Sequence, residues 1–266
     1  MRKVPKLLMM GLLALAGLWT GTTQNVTVSA NLATAPSGIN QLDKVITLPS
    51  AFSSGVANNA TIVDTTNSGA PNTQAVNVIS NKKQVGGFWS NDASRLDLNK
   101  DATIKMWLYL GTAKSTGDGM AFVLQNDPSG TSAAAQIKPG SIIGETLGTW
   151  GLDTNNKQQD PQAVADSAIQ NSWALEFDTY ANNSTSYSDA GGGVAFDKGN
   201  KNQHLATGYP GLATQYKSES VGSWDLTGIL LPTRYYFSQN HNNLMNWKNL
   251  SNGAWHHLVL KWNAAA

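Results

Sequence analysis

The sequence predicts an all-β protein built as two antiparallel sheets packed face to face. Three observations predict it. Short runs rich in β-branched and aromatic residues recur between clusters of turn formers, which 25 glycines and 9 prolines in 266 residues supply freely. Within the best of these runs, apolar and polar residues alternate with the period of two that a half-buried strand needs. Sustained helical periodicity is almost absent, while 9 Trp, 7 Tyr and 6 Phe provide large side chains to fill the space between two sheets.

The first element along the chain stands apart from the rest. Arg2, Lys3 and Lys6 precede an apolar run from Leu7 to Leu18, and a polar stretch then ends in Val28-Ser29-Ala30. This is the pattern of a secretory leader with its charged, apolar and small-residue regions, so residues 1–30 are expected to be a signal peptide. The run falls short of the ~20 apolar residues that a membrane-spanning helix needs, and no later segment is long and apolar enough to span. Residues 31–40, small and polar with Pro36 and Gly38, are expected to be a flexible start. One domain is expected over 41–266.

The predicted strands follow in order: Gln74 to Ile79, Thr103 to Leu110, Met120 to Gln125, Trp173 to Tyr180, His204 to Gly208 and Trp255 to Trp262. In the second, Ile104, Met106, Leu108 and Leu110 take one face and Thr103, Lys105, Trp107 and Tyr109 the other. In the last, Leu258, Leu260 and Trp262 share a side. Between these runs lie polar, Gly-rich connections at 127–133, 153–162, 182–193 and 198–202. Loops carried on a rigid sandwich are where binding residues are usually placed.

Charge and cysteine usage narrow the function. Eighteen Lys and Arg against 17 Asp and Glu give a net charge of +1. Without the three basic residues of the leader the balance is 15 against 17, or −2. No basic run occurs, so nucleic acid is excluded as the expected partner. There is no cysteine, so an exported domain must draw its stability from core burial or from bound metal rather than from disulfides.

The segment richest in chemistry is Trp173-Ala174-Leu175-Glu176-Phe177-Asp178-Thr179-Tyr180. Strand alternation puts Leu175, Phe177 and Thr179 on one face and Glu176 and Asp178 together on the other. Two carboxylates that close repel unless something neutralises them, and the first basic residue of the following loop is Lys198. A divalent cation would serve, and oxygen donors follow in Asn182, Asn183, Asp189 and Asp197, with His204 beyond. The competing reading is a solvated polar face.

These residues also carry a resemblance. Glu176-Phe177-Asp178-Thr179-Tyr180-Ala181-Asn182, followed by a loop and His204, resembles the metal-binding segment of legume-type (L-type) lectins. Gly117-Asp118-Gly119-Met120-Ala121-Phe122-Val123-Leu124 resembles their sugar-binding segment. Gly144-Glu145-Thr146-Leu147-Gly148-Thr149-Trp150 is similar to their Gly-rich loop and the short strand after it, and Gly253-Ala254-Trp255-His256-His257 opens a run like their late strand. The four matches come in the family's order over roughly residues 40–266.

The resemblance implies a concanavalin-like jelly-roll sandwich that binds carbohydrate at loops held by Ca2+. Asp118 would accept hydrogen bonds from two sugar hydroxyls after a cis peptide, and Gly144 would bring backbone to the sugar. Glu145 stands where a second Gly is usual. Asp178, the Tyr180 carbonyl and the Asn182 side chain would ligate calcium, Asn182 also donating to the sugar. The second acidic ligand is expected at Asp197, which Val194-Ala195-Phe196 would set on a strand or tight turn, with Asp189 in reserve. Glu176 and His204 would serve a second, transition-metal ion. The family continues beyond its Trp-His strand, whereas this sequence stops at Ala264-Ala265-Ala266, so a fragment of a longer surface protein is expected.

Two alternatives accompany the lectin expectation. One is a structural adhesin module that uses the fold without binding sugar. The other is a glycoside hydrolase like the laminarinase-type endoglucanases, which also carry Glu-x-Asp on one strand face. Their motif continues with a further Glu as acid/base, where this sequence has Tyr180 and Ala181. No Gly-x-Ser-x-Gly elbow or cysteine nucleophile occurs. The expectation is therefore a non-catalytic domain.

Overall fold

The structure, a computed structural model, describes residues 7–15, 31–81, 84–112, 117–135, 144–151, 160–182, 196–197, 200–221 and 234–264. Among the described residues the regular secondary structure is mostly strand, with almost no helix. The strands are β1 (Leu7–Leu15), β2 (Ile46–Thr47), β3 (Thr61–Asp64), β4 (Gln74–Asn77), β5 (Val85–Ser90), β6 (Leu96–Asp97) and β7 (Ala102–Tyr109). They continue as β8 (Gly119–Gln125), β9 (Ser172–Asp178), β10 (His204–Gly208), β11 (Tyr216–Val221), β12 (Arg234–Gln239), β13 (Asn242–Asn246) and β14 (Trp255–Trp262). One short helix, α1, covers Pro161–Ala165; it starts where Asp160 caps the Gln162 N–H and Pro161 presets the backbone.

An eight-stranded antiparallel sheet organises the molecule, in the order β13-β10-β9-β8-β1-β5-β2 with β6 also paired to β1. Its two faces are both covered. On one face Met120, Phe122 and Leu124 of β8 and Phe177 of β9 pack against Leu108, Leu258 and Leu260 of the β7–β14 pair. On the other, Trp89, Ala121, Val123 and Ala174 meet Leu147, Trp150, Ile169, Phe196 and Phe237. The alternation read in β7, β9 and β14 is the alternation observed, since the outward residues Trp107 and His257 stack on each other away from the core.

Trp89 and Trp150 are fully buried. Each removes ~150–250 Å² from water, a gross gain of roughly 4–6 kcal/mol at ~25 cal/mol per Å² before chain entropy is subtracted. Burial of this kind is what holds together a chain without cysteine.

Several elements differ from the sequence expectations. The apolar run read as the heart of a leader forms β1, the strand between β5 and β8, with Gly11 opposite Trp89 on one side and Val123 on the other. Nine residues without an internal charge satisfy two open strand edges at once, and without β1 both β5 and β8 would present unpaired backbone. Residues 31–40 are tied down: Leu32 to Thr34 form a 3-10 turn, Ala35 is buried, and the Gly38 N–H donates to the Thr73 hydroxyl. Residues 144–150 make a 3-10 turn and a reverse turn rather than a loop and short strand, because Leu147 and Gly148 both take positive φ, 48° and 66°. No peptide among the described residues is cis, so the bond before Asp118 is trans. No helix among them is long and apolar enough to cross a membrane.

Candidate metal centre and adjoining carboxylate

The cluster begins at the C-terminal end of β9. Strand period places Glu176 and Asp178 on the face that also carries Ala174, and neighbouring strands then frame them: β10 sets His204 opposite Asp178, and β8 sets Gly119 opposite the same residue. Both carboxylates are buried, as are His204 and Asp197. Asp197 arrives from a turn after Phe196, whose ring is anchored in the core. A reciprocal pair of backbone contacts holds it there: the Asp197 N–H donates to the Asn182 carbonyl at 2.9 Å, and the Asn182 N–H donates to Asp197 Oδ2.

The sequence brings a further ligand that its linear pattern hid. His241 lies in the two-residue link between β12 and β13, and its Nε2 is 3.1 Å from Asp197 Oδ1 and 3.4 Å from Glu176 Oε1. His204 Nε2 stands 3.3 Å from Glu176 Oε1 and 3.7 Å from Asp197 Oδ1. Gln239, at the end of β12, donates from Nε2 to Glu176 Oε2 at 3.0 Å. His241 is 44 residues from Asp197 in sequence, so no spacing rule could have joined them. The available signal was a histidine in the Asn-rich turn Asn240-His241-Asn242-Asn243.

Two overlapping sets of ligand atoms result, Glu176–His204–His241 and Asp178–Asp197–His204, each close enough to hold one ion. Three buried polar atoms in the cluster make no hydrogen bond: Glu176 Oε1, His204 Nε2 and Asn182 Oδ1. Leaving such atoms unsatisfied costs about 1–3 kcal/mol each, and a cation among them removes the cost. The donor set therefore fits a metal ion.

Electrostatics agree with the geometry. Burial, and then the charges of Asp197, Glu176 and Asp118, hold the Asp178 carboxyl well above the usual carboxylate range, against a 2.7 Å hydrogen bond from the Tyr180 N–H. For His241, burial works to lower the pKa, but the hydrogen bond to Asp197 and the charges of Glu176 and Asp197 outweigh it and raise it.

A pH dependence follows for the metal-free chain. An unfolded Asp titrates near ~3.9; the folded Asp178 keeps its proton to higher pH, so its contribution to stability is full below ~3.9 and is lost as pH rises through the folded value. Melting temperatures in chelator from pH 4 to 8 should therefore fall, relative to Asp178→Asn, as pH increases. Parallel curves for the two proteins would sink the assignment.

Asp118 lies at the edge of this cluster. Its carbonyl accepts the Thr179 N–H at 2.9 Å, and the Thr179 hydroxyl donates to the Gly117 carbonyl at 2.8 Å. These bonds fasten the 117–119 turn to the residue after Asp178. The backbone of Gly144 closes on the Asp118 carboxylate so tightly that a Cβ there would sit 1.9 Å from Oδ2, so any larger residue requires the carboxylate to move. The Gly144 turn is fixed from behind: Trp150 is buried and the Gly151 N–H donates to the Tyr216 hydroxyl at 2.7 Å.

The sequence-predicted residues thus divide. Glu176, Asp178, Asp197 and His204 converge on one cluster, Asn182 borders it, and Asp118 and Gly144 meet beside it. Tyr180 contributes its backbone at the cluster while its ring is exposed. Glu145 is buried in the 3-10 turn, as Asp118 is in its own turn. Asp189 lies outside the described residues. No protein-family model, no curated protein and no solved structure matches the chain.

Proposed function

We propose that this is a calcium-dependent carbohydrate-binding domain of an exported surface protein, non-catalytic and used for adhesion to glycans. The observation that carries the reading is the seating of Asp118 against Gly144 at the border of the buried Glu176–Asp178–Asp197–His204 cluster. Calcium would take Asp178, Asp197, the Asn182 side chain and the Tyr180 carbonyl, an all-oxygen set of the kind that hard ion prefers. The ion would supply fixed positive charge. The chain itself holds the Asp118 loop through Thr179, next to the ligand Asp178, so ordering the cluster orders the acceptor that meets the sugar hydroxyls. A carboxylate accepting from two hydroxyls makes charge-assisted hydrogen bonds, the strong kind.

In this reading the two-sheet arrangement closes as a jelly roll. The further Glu that the hydrolase motif uses as acid/base is missing from the β9 face: beyond Asp178 that face continues to Tyr180, whose ring is exposed to solvent. Export would follow from the charged and apolar pattern of residues 1–30, the apolar part of which is seated as β1 in the full chain.

A glycan array with the full chain, run in calcium and again in chelator, tests the proposal. Binding only in calcium is the expected result. A chain that is folded by circular dichroism and binds no glycan in either buffer would refute the sugar reading.

A further inference from the structure

We infer that the gap between β5 and β8 is a strand-acceptor site, which in the exported form takes an uncharged apolar strand from a separate polypeptide. The inference rests on the export part of the proposed function, under which residues 1–30 are removed and the strand Leu7–Leu15 goes with them. Seven residues of β8, Gly119 to Gln125, and five of β5, Val85 to Trp89, then lose their neighbour. Both strands are left with open edges, in the part of the sheet where Trp89, Ala121, Phe122 and Val123 are almost wholly buried.

Both walls are held from their far sides, so the gap outlasts its occupant. β8 is paired to β9 along its whole length. In β5, the Gly87 N–H donates to Asn58 Oδ1 at 3.0 Å, and the Asn58 side-chain amide donates back to the Gly87 carbonyl at 2.9 Å. Asn59 holds Val85 in the same way: its N–H donates to the Val85 carbonyl at 2.8 Å, and its Oδ1 accepts the Val85 N–H at 3.3 Å. By strand alternation the backbone groups of Gly86 and Phe88 then face the gap. Gly86 is also pressed against Val78, whose carbonyl oxygen would lie 1.7 Å from a Cβ there. The two walls each run antiparallel to β1, hence parallel to one another, two strand spacings or about 9.5 Å apart. Closing that distance would break the Asn58 and Asn59 bonds.

The two faces of the gap define what it accepts. Phe88, Phe122 and Leu124 line it towards the β7–β14 layer, and Trp89, Ala121 and Val123 towards the opposite core. A strand apolar on one side only would bury polar groups on the other, so the occupant is a continuous apolar run. Leu7–Leu15, uncharged throughout, is such a run seated in the gap. Residues 31–266 contain no second run of nine uncharged apolar residues, so neither the exported chain nor a second exported copy of those residues supplies one. Backbone pairing at both edges gives such a strand its affinity, and the two buried faces give it specificity.

The test uses the full chain with a protease site in place of residues 21–26, so that β1 is cut from residues 31–266 after folding. The cut strand should stay bound through size-exclusion chromatography. It should then exchange, at one per chain, for an excess of fluorescein-labelled synthetic peptide of sequence Leu7–Leu15 with lysine tails. The same peptide with Leu12→Asp, which the register sets opposite Phe88 and Phe122, should bind at least about tenfold more weakly, because an unpaired charge is costly to bury. Hydrogen exchange should show the Gly86 and Phe88 amides protected with the peptide bound and unprotected without it. Loss of the cut strand with no change in melting temperature or in that protection overturns the inference, as does equal binding of the Leu12→Asp peptide. A dimer of the cut chain that forms without peptide and resists it assigns the gap to a second copy and overturns it too. Should the chain precipitate once β1 is displaced, recovery on refolding with the apolar peptide but not with Leu12→Asp supports the site, and no recovery overturns it. Residues 1–30 found on the exported chain by intact mass would remove the export reading and leave the exchange result standing. Failed exchange in a chain exported without them would do the reverse.

Discussion

Asp118→Ala is expected to abolish glycan binding while leaving the fold and the calcium response in place. Two charge-assisted hydrogen bonds at ~1.5–3 kcal/mol each amount to a loss of at least about a hundredfold in affinity. The fold should survive because the Asp118 backbone, not its side chain, accepts the Thr179 N–H. Gly144→Ala should reproduce the loss without deleting the carboxylate, since the added methyl would lie 1.9 Å from Asp118 Oδ2 and must displace it. Affinities for the best array ligand, measured by calorimetry for both variants, check this. Retention of wild-type affinity by Asp118→Ala would remove Asp118 from the site.

Asp178→Ala is expected to act on stability with opposite signs in calcium and in chelator. With calcium at a hundred times its dissociation constant, binding to the native state adds ~2.7 kcal/mol, which for a domain of this size is a rise in melting temperature of about 5–10 °C. The variant loses most of that rise, because Asp178 belongs to the ligand set with Asp197 and His204. In chelator it should be at least as stable as wild type near neutral pH. There the wild type must either hold a proton on Asp178 or crowd its charge against Asp197, Glu176 and Asp118. Differential scanning calorimetry in the two buffers reads both signs. A variant that still binds calcium as tightly as wild type would show that the metal ligands lie elsewhere.

Much of the site was legible because its chemistry is local. Glu176 and Asp178 fall two residues apart, and a period of two is a property of any strand, so their common face could be read before any partner was known. The same holds for Leu108, Leu258 and Leu260, which point inward from β7 and β14 as their alternation requires. Asp197 was favoured for the short apolar stretch ahead of it, and Phe196 does anchor it in the core. The turn at 144–148 was misread because Leu147 adopts a positive φ, which a branched residue takes only where surrounding packing imposes it.

By itself, then, the sequence determined the all-β class, the alternation of each long strand and the pairing of carboxylates on β9, all consequences of backbone geometry within a few residues. Tertiary structure alone decided which distant groups complete the cluster. It brought His241 and Gln239 from the β12–β13 corner to Glu176, pressed Gly144 against Asp118, and set the apolar run Leu7–Leu15 between β5 and β8. Those contacts depend on how strands separated by tens of residues are ordered in one sheet. That ordering is settled by burial and backbone pairing summed over the whole chain, a quantity no local pattern contains.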